Sequence, residues 1–141
     1  MDKKAVVEAL NAILENELAG VVRYTHYSLM VYGHNRIPIV SWLRAQATES
    51  LTHASMAGEH ITTLGEHPSL KISSLLETHK HAIQDILMES MEHERRQTEN
   101  YKRLLNLVDG KSVYLEEYAR QMICDEEDHI AEVEKMLRKP E

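Results

Sequence analysis

Residues 123–133 read Ile-Cys-Asp-Glu-Glu-Asp-His-Ile-Ala-Glu-Val. Glu126 and His129 stand three apart, so on a helix they share a face and can grip one metal ion together. That face is apolar. Leu115, Ala119, Met122, Glu126, His129, Val133 and Met136 recur in alternating steps of four and three, the seam of a helix packed in a bundle. An unpaired carboxylate and imidazole inside such a seam would cost on the order of several kcal/mol. A bound cation neutralises them. The alternative is an exposed Asp-Glu-Glu-Asp surface that includes a histidine, and the rest of the chain weighs between the two.

Working outward, the turn Asp109-Gly110-Lys111 precedes this helix, and Ser112 suits its N-cap; the helix is expected to end near Arg138. Upstream, a helix from about Leu75 to Val108 carries Ile83, Leu87, Met91, Glu94, Thr98, Tyr101, Leu105 and Val108 inward. Residues 3–32 form a first helix whose row is Val7, Leu10, Leu14, Glu17, Val21, Tyr24, Ser28 and Val31. Residues 33–38 are a turn, with Pro38 in the first turn of a second helix reaching Leu64. Its inward row is Val40, Leu43, Ala47, Ser50, Ala54, Ala57, Ile61 and Leu64, and Gly65 closes it. Glu66 to about Ser74 is a connector. The expected fold is all-α: a single four-helix bundle over residues 1–141, with a long crossover between helices two and three.

The bulk numbers agree. The 141 residues are 43% hydrophobic and 28% charged, with only five glycines and three prolines, so the helices run long. A net charge of −7, without a basic cluster larger than Glu94-Arg95-Arg96 or Lys102-Arg103, argues against nucleic acid and suits a protein that attracts cations. No apolar run approaches the ~20 residues that span a membrane. Met-Asp-Lys-Lys leads into a helix without an apolar signal core, and the lone Cys124, read as a small buried hydrophobe, fits a reducing compartment. A cytoplasmic location is expected.

Short turns place residues equidistant from a turn at equal height on antiparallel helices. Glu17 and His53 have their midpoint at residue 35, and Glu94 and Glu126 at residue 110, both inside turns. Each hairpin thus sets its acid opposite an acid or imidazole at mid-height, and docking the hairpins gathers all of them. About four carboxylates and two imidazoles are a ligand set for two iron or manganese ions. Buried salt bridges are the alternative, but no lysine or arginine lies in any inward row.

Asn16-Glu17-Leu18 with Tyr24, His53-Ala54, Glu94 with Tyr101, and Asp125-Glu126-Glu127-Asp128-His129-Ile130 resemble the bacterioferritin branch of the ferritin-like superfamily. The resemblance covers nearly the whole chain, including Gly65-x-x-Pro68 after helix two. It implies a di-iron ferroxidase centre that oxidises Fe(II) with O₂ or peroxide. Glu17 and Glu94 would be terminal ligands, Glu126 would bridge, and His53 and His129 would each hold one metal. Tyr24 would be the phenol beside the site. Two irons per chain are expected, with manganese or zinc as alternative occupants.

Three departures bear on this. Helix two does not read Glu-x-x-His, because Ser50 stands three before His53 and the acid is Glu49, four before. Either Glu49 is a ligand, re-aimed by a one-residue π-bulge, or it is a solvated flank residue and Gln46, His60 or water completes a lopsided site. The family's haem methionine directly follows the helix-two glutamate, and both possible positions here, Ser50 and Leu51, are poor haem ligands, so no haem is expected. The sequence stops at Pro140-Glu141 without the fifth helix of shell-forming members, so at least a dimer, through the flanks of helices one and two, is the expected homo-oligomer. His26, His34, His67, His79, His81 and His93 are read as exposed or satisfied locally. A bundle that keeps the fold but has an incomplete di-metal site, serving as a metal-binding or assembly subunit, is the competing function.

Overall fold

The computed structural model describes residues 1–141 and contains four helices: α1 (Lys3–Met30), α2 (Arg36–Thr63), α3 (Ile83–Val108) and α4 (Val113–Leu137). The ends follow local chemistry. Asp2 accepts from the Ala5 amide and Ser112 from the Leu115 amide, satisfying first-turn donors that lack helical partners. Gly33, Gly65 and Gly110 take positive φ at the three helix exits. Pro38 lies in the first turn of α2.

The third helix begins at Ile83, eight residues later than Leu75. The reason is reach. Glu17 meets Tyr101 while Glu94 meets Tyr24, so contacts move in opposite senses along α1 and α3, and these helices are antiparallel. Helix α3 therefore starts at the end of the bundle opposite the exit of α2. A 28-residue helix is ~42 Å long, and the nine residues 66–74 would span only ~30 Å fully extended. Residues 75–82 stay extended to cover the difference. The crossover runs along α1: the Ser69 amide donates to Asn11 Oδ1 (2.9 Å), the Ser73 amide to the Glu15 carbonyl (3.0 Å), and Glu77 meets His26.

The main core lies at one end, where Leu10, Ile13, Ile61, Tyr101, Leu104 and Met122 pack together; a smaller cluster around Tyr24, Leu43 and Ile86 lies at the other. Between them sit the buried polar groups. Helix α1 packs against α2 and α3, and α3 against α4, but no Cα pair of α2 and α4 comes within 8 Å. Only side chains cross that gap, among them Glu49 with His129 and His53 with Glu126.

Candidate metal centre

The inward rows deliver their charged members to one place. Glu17, Glu94 and Glu126 are 1–3% exposed and His53 is 6% exposed. His53 Nδ1 lies 3.0 Å from Glu17 Oε2 and 3.7 Å from Glu126 Oε1. Two groups of three donors, Glu17–His53–Glu126 and Glu94–Glu126–His129, each have ligand atoms within 4.8 Å of one another. Glu126 belongs to both. The residues paired by the two turns do meet, Glu17 with His53 and Glu94 with Glu126.

Glu49 joins them from outside. Its carboxylate lies 3.5 Å from His53 Nε2 and 3.0 Å from His129 Nε2, so it touches both imidazoles across the α2–α4 gap. It does so from an unbroken α-helix, without the π-bulge entertained above. It belongs to neither donor triple and sits on the ring nitrogen of His53 opposite the one facing Glu17 and Glu126. A carboxylate on the far nitrogen fixes a ligating imidazole's tautomer and orientation. Ser50 does face inward, 4% exposed, and its seat is tight. A Cβ on Gly20 would come within 2.9 Å of Ser50 Oγ and 3.0 Å of His93 Nε2, so α1, α2 and α3 close on one another here.

The terminal carboxylates are braced by phenols. Tyr24 donates to Glu94 Oε1, and Tyr101 donates to Glu17 Oε2 at 2.9 Å. Burial first, then the facing carboxylates, push both phenols well above their ordinary range, so they remain donors. Around them, Asn16 donates to Gln97 Oε1 and Gln97 to the Ile13 carbonyl, both at 3.0 Å, which fixes α1 against α3.

The electrostatics are those of a site short of positive charge. Burial pushes Glu126 far above the carboxylate range, helped by Glu94, Glu17 and Glu49. Burial also raises Glu17, only partly offset by His53. Burial would raise Glu94 as well, but its hydrogen bond with Glu126, the adjacent His93 imidazole and the Tyr24 phenol together bring it down. The two carboxylates thus push each other's proton affinities apart, Glu126 upward and Glu94 downward. His129 is raised by its bond to Glu49, and His53 is raised because Glu17 and Glu49 outweigh its burial. No lysine or arginine pairs with any of these carboxylates.

Within the two donor triples, two buried atoms have no hydrogen-bond partner: Glu126 Oε2 and His129 Nδ1. Both are good metal donors, and an orphaned buried polar atom is costly. Fully ionised, the four carboxylates would carry four negative charges, which two divalent cations balance. Hard oxygens with two imidazoles suit iron, manganese or zinc. The residues present fit a pair of such ions, one per triple, sharing Glu126.

Several residues stand elsewhere than expected. His93 is buried at 1% exposure, edge-on to the Tyr24 ring at 6.1 Å, with neither ring nitrogen bonded, and burial pulls it down to about 4. It belongs to a second inward stripe of α3 (Ile86, Ser90, His93, Gln97, Leu104) that faces α1 and passes unnoticed beside the Glu94 row. His60 packs on Tyr118, with ring centres 4.1 Å apart, and joins neither donor triple, while Gln46 is buried on α2. Cys124 is exposed, not buried: it lies two residues from both Met122 and Glu126, about 200° around the helix from each.

A family model for the ferritin-like domain matches residues 7–141. No curated protein matches the chain by sequence. Among solved structures, a ferritin-like, diiron-carboxylate protein from Bacillus anthracis superposes with a TM-score of 0.91 at 22% identity, over 98% of this chain and 99% of that one. The dodecameric thioferritin of Bacteroides fragilis, a bacterioferritin-related protein, gives 0.86 at 23% identity over 97% and 86%. The bacterioferritin of Rhodobacter capsulatus, with its metal-free dinuclear site and haem iron, gives 0.84 at 21% identity over 97% and 85%. These likenesses establish a shared fold, and the matched model spans nearly the whole chain; the chain belongs to the ferritin-like family.

Proposed function

We propose that the protein binds Fe(II) as substrate at the Glu17–Glu49–His53–Glu94–Glu126–His129 cluster and oxidises it to Fe(III), contributing to iron storage or detoxification. The observation that carries this reading is the sharing of Glu126 between two donor triples, with Glu126 Oε2 and His129 Nδ1 left without partners. Two Fe(II) ions held side by side each give up one electron. The pair reduces O₂ to peroxide, or peroxide to water, with protons drawn from solvent.

The chain's own residues do the rest. Glu17 and Glu94 hold the two outer positions, braced by Tyr101 and Tyr24. His53 and His129 each take one ion through Nδ1, with Glu49 fastening both rings from the Nε2 side. On this reading Glu49 is first an orienting carboxylate, and it is also the group nearest solvent, with its side chain 37% exposed. Bound cations would hold the Glu94–Glu126 pair fully ionised. Leu51 and Ser50 beside Glu49 offer nothing to a haem iron, so haem has no part in the proposed chemistry. By analogy with the dodecameric thioferritin we assign a homo-oligomer, and we place the protein in the cytoplasm, where exposed Cys124 stays reduced.

The competing reading, a metal-binding or assembly subunit without catalysis, draws on one observation: Ser50 fills the inward position three before His53. Stopped-flow mixing of anaerobically Fe(II)-loaded protein with O₂, and separately with peroxide, decides between them. Ferric absorbance rising well ahead of Fe(II) in buffer supports oxidation at the site. A rate equal to buffer sinks it and leaves the binding subunit.

A further inference from the structure

We propose that His26, Glu77 and His81 form a second divalent-metal site that fastens the crossover to α1. The three donors come from two separate elements, His26 from α1 and the other two from the extended segment before α3, and their ligand atoms lie within 4.8 Å of one another. Glu77 spends one oxygen on each ring: Oε2 is 2.7 Å from His26 Nε2, and Oε1 is 3.2 Å from His81 Nε2. The two rings stand edge to face, 5.8 Å apart.

The His26 side is the telling one. Its Nε2 is shut off from solvent, and the 2.7 Å contact with Glu77 lacks the direction a hydrogen bond needs, so this nitrogen has no partner. A metal ion supplies one. Glu77 and His81 are four apart in chain that is not helical. They converge because His79 takes φ of +58° and its amide donates to Glu77 Oε1 at 2.7 Å. Thr78 and Tyr27 both donate to Glu89 alongside, which positions the crossover against α1 even without an ion.

Two imidazoles and one carboxylate with an open fourth position make a ligand set suited to zinc(II) and its borderline neighbours. Because the ligands straddle two elements, binding must slow local opening of the crossover. This separates the site from the centre inside the bundle, whose proposed ligands all lie on helices, and the inference does not depend on that centre being catalytic.

The test uses zinc(II) alone on the full chain, with the wild type, the His26→Gln/His81→Gln pair and Glu77→Gln. Hydrogen exchange of the 75–82 segment is followed with and without zinc, together with bound zinc per chain after equilibrium dialysis. The expected result is exchange slowed about tenfold or more by zinc in the wild type only, and one fewer zinc per chain in both variants. Equal zinc counts in all three proteins overturn the site. A lower count with unchanged exchange overturns the clamp. Matching circular dichroism of the zinc-free variants guards against misfolding, and either variant alone suffices if the other fails to fold.

Discussion

Tyr24 on α1 donates its phenolic hydrogen to Glu94 on α3, and seven residues along each helix the roles reverse, with Tyr101 on α3 donating to Glu17 on α1. Each antiparallel helix thus supplies one outer carboxylate and the phenol that holds its counterpart. A buried carboxylate without such a donor would swing or take up a proton. The reciprocal arrangement keeps Glu17 and Glu94 facing the shared Glu126.

Tyr24→Phe and Tyr101→Phe should therefore behave alike. Phenylalanine keeps the ring packing, so each variant loses only about 1 kcal/mol of stability. Each should slow Fe(II) oxidation by roughly tenfold through a loosened outer carboxylate. Parallel melting curves and stopped-flow rates check this. A full-rate Tyr101→Phe beside a slow Tyr24→Phe would mean that the two braces are not equivalent.

Glu126→Gln separates stability from function. Glutamine is nearly isosteric, carries no charge and can donate to Glu94. The metal-free variant should match or exceed the wild type, by up to ~1 kcal/mol, because a buried acid has been replaced by a neutral group. It should hold at most one Fe(II) in the bundle. Denaturant unfolding measures the first and anaerobic titration the second. Strong destabilisation would show that the acid is paired in the metal-free protein.

Acidity should act differently on the metal-free and loaded forms. Glu17, Glu126, His53 and His129 are all raised in the fold, so each contributes stability that is complete below its unfolded value and lost as pH climbs through its folded value. The unfolded values are near 4.5 for the acids and 6.5 for the imidazoles, so the decline starts just above 4.5 and steepens above 6.5. Glu49 and Glu94 are lowered and lose their contribution only in acid, outside this window. The metal-free Tm should fall by about 5 °C or more between roughly pH 5.5 and 8, and cation loading should flatten the slope. Differential scanning calorimetry across that range checks it.

At the helix-two departure, Ser50→Glu should not restore a better centre. Ser50 Oγ already stands 2.9 Å from where a Cβ on Gly20 would lie, and a larger side chain at this close approach should cost about 1–3 kcal/mol. Gly20→Ala meets the same atoms and should fall in the same range. Glu49→Ala leaves the packing alone and should weaken Fe(II) binding by roughly 10–100-fold by releasing both imidazoles. A stabilised Ser50→Glu would show that the seat yields.

Much of this was legible before any coordinates. Glu17, His53, Glu94 and Glu126 could be placed at one height because short turns leave a helical hairpin no freedom of register. The polar interruptions of apolar rows then marked the site. What escaped depended on three-body packing. Glu49 looked misaligned because a single helical wheel does not show the open α2–α4 gap through which it reaches both histidines. His93 was missed because α3 is buried along two stripes, and only one carries the Glu94 row. The late start of α3 was hidden by Leu75-Leu76-Glu77, which is helix-compatible locally but must stay extended to let the crossover traverse the bundle.

The shared Glu126 is the centre of the account, and anomalous diffraction at the iron edge from crystals loaded anaerobically with Fe(II) tests it most directly. Two iron peaks inside the bundle are predicted, one against Glu17 and His53 and the other against Glu94 and His129, with a Glu126 oxygen on each. A single peak, or iron bound without Glu126, would contradict it.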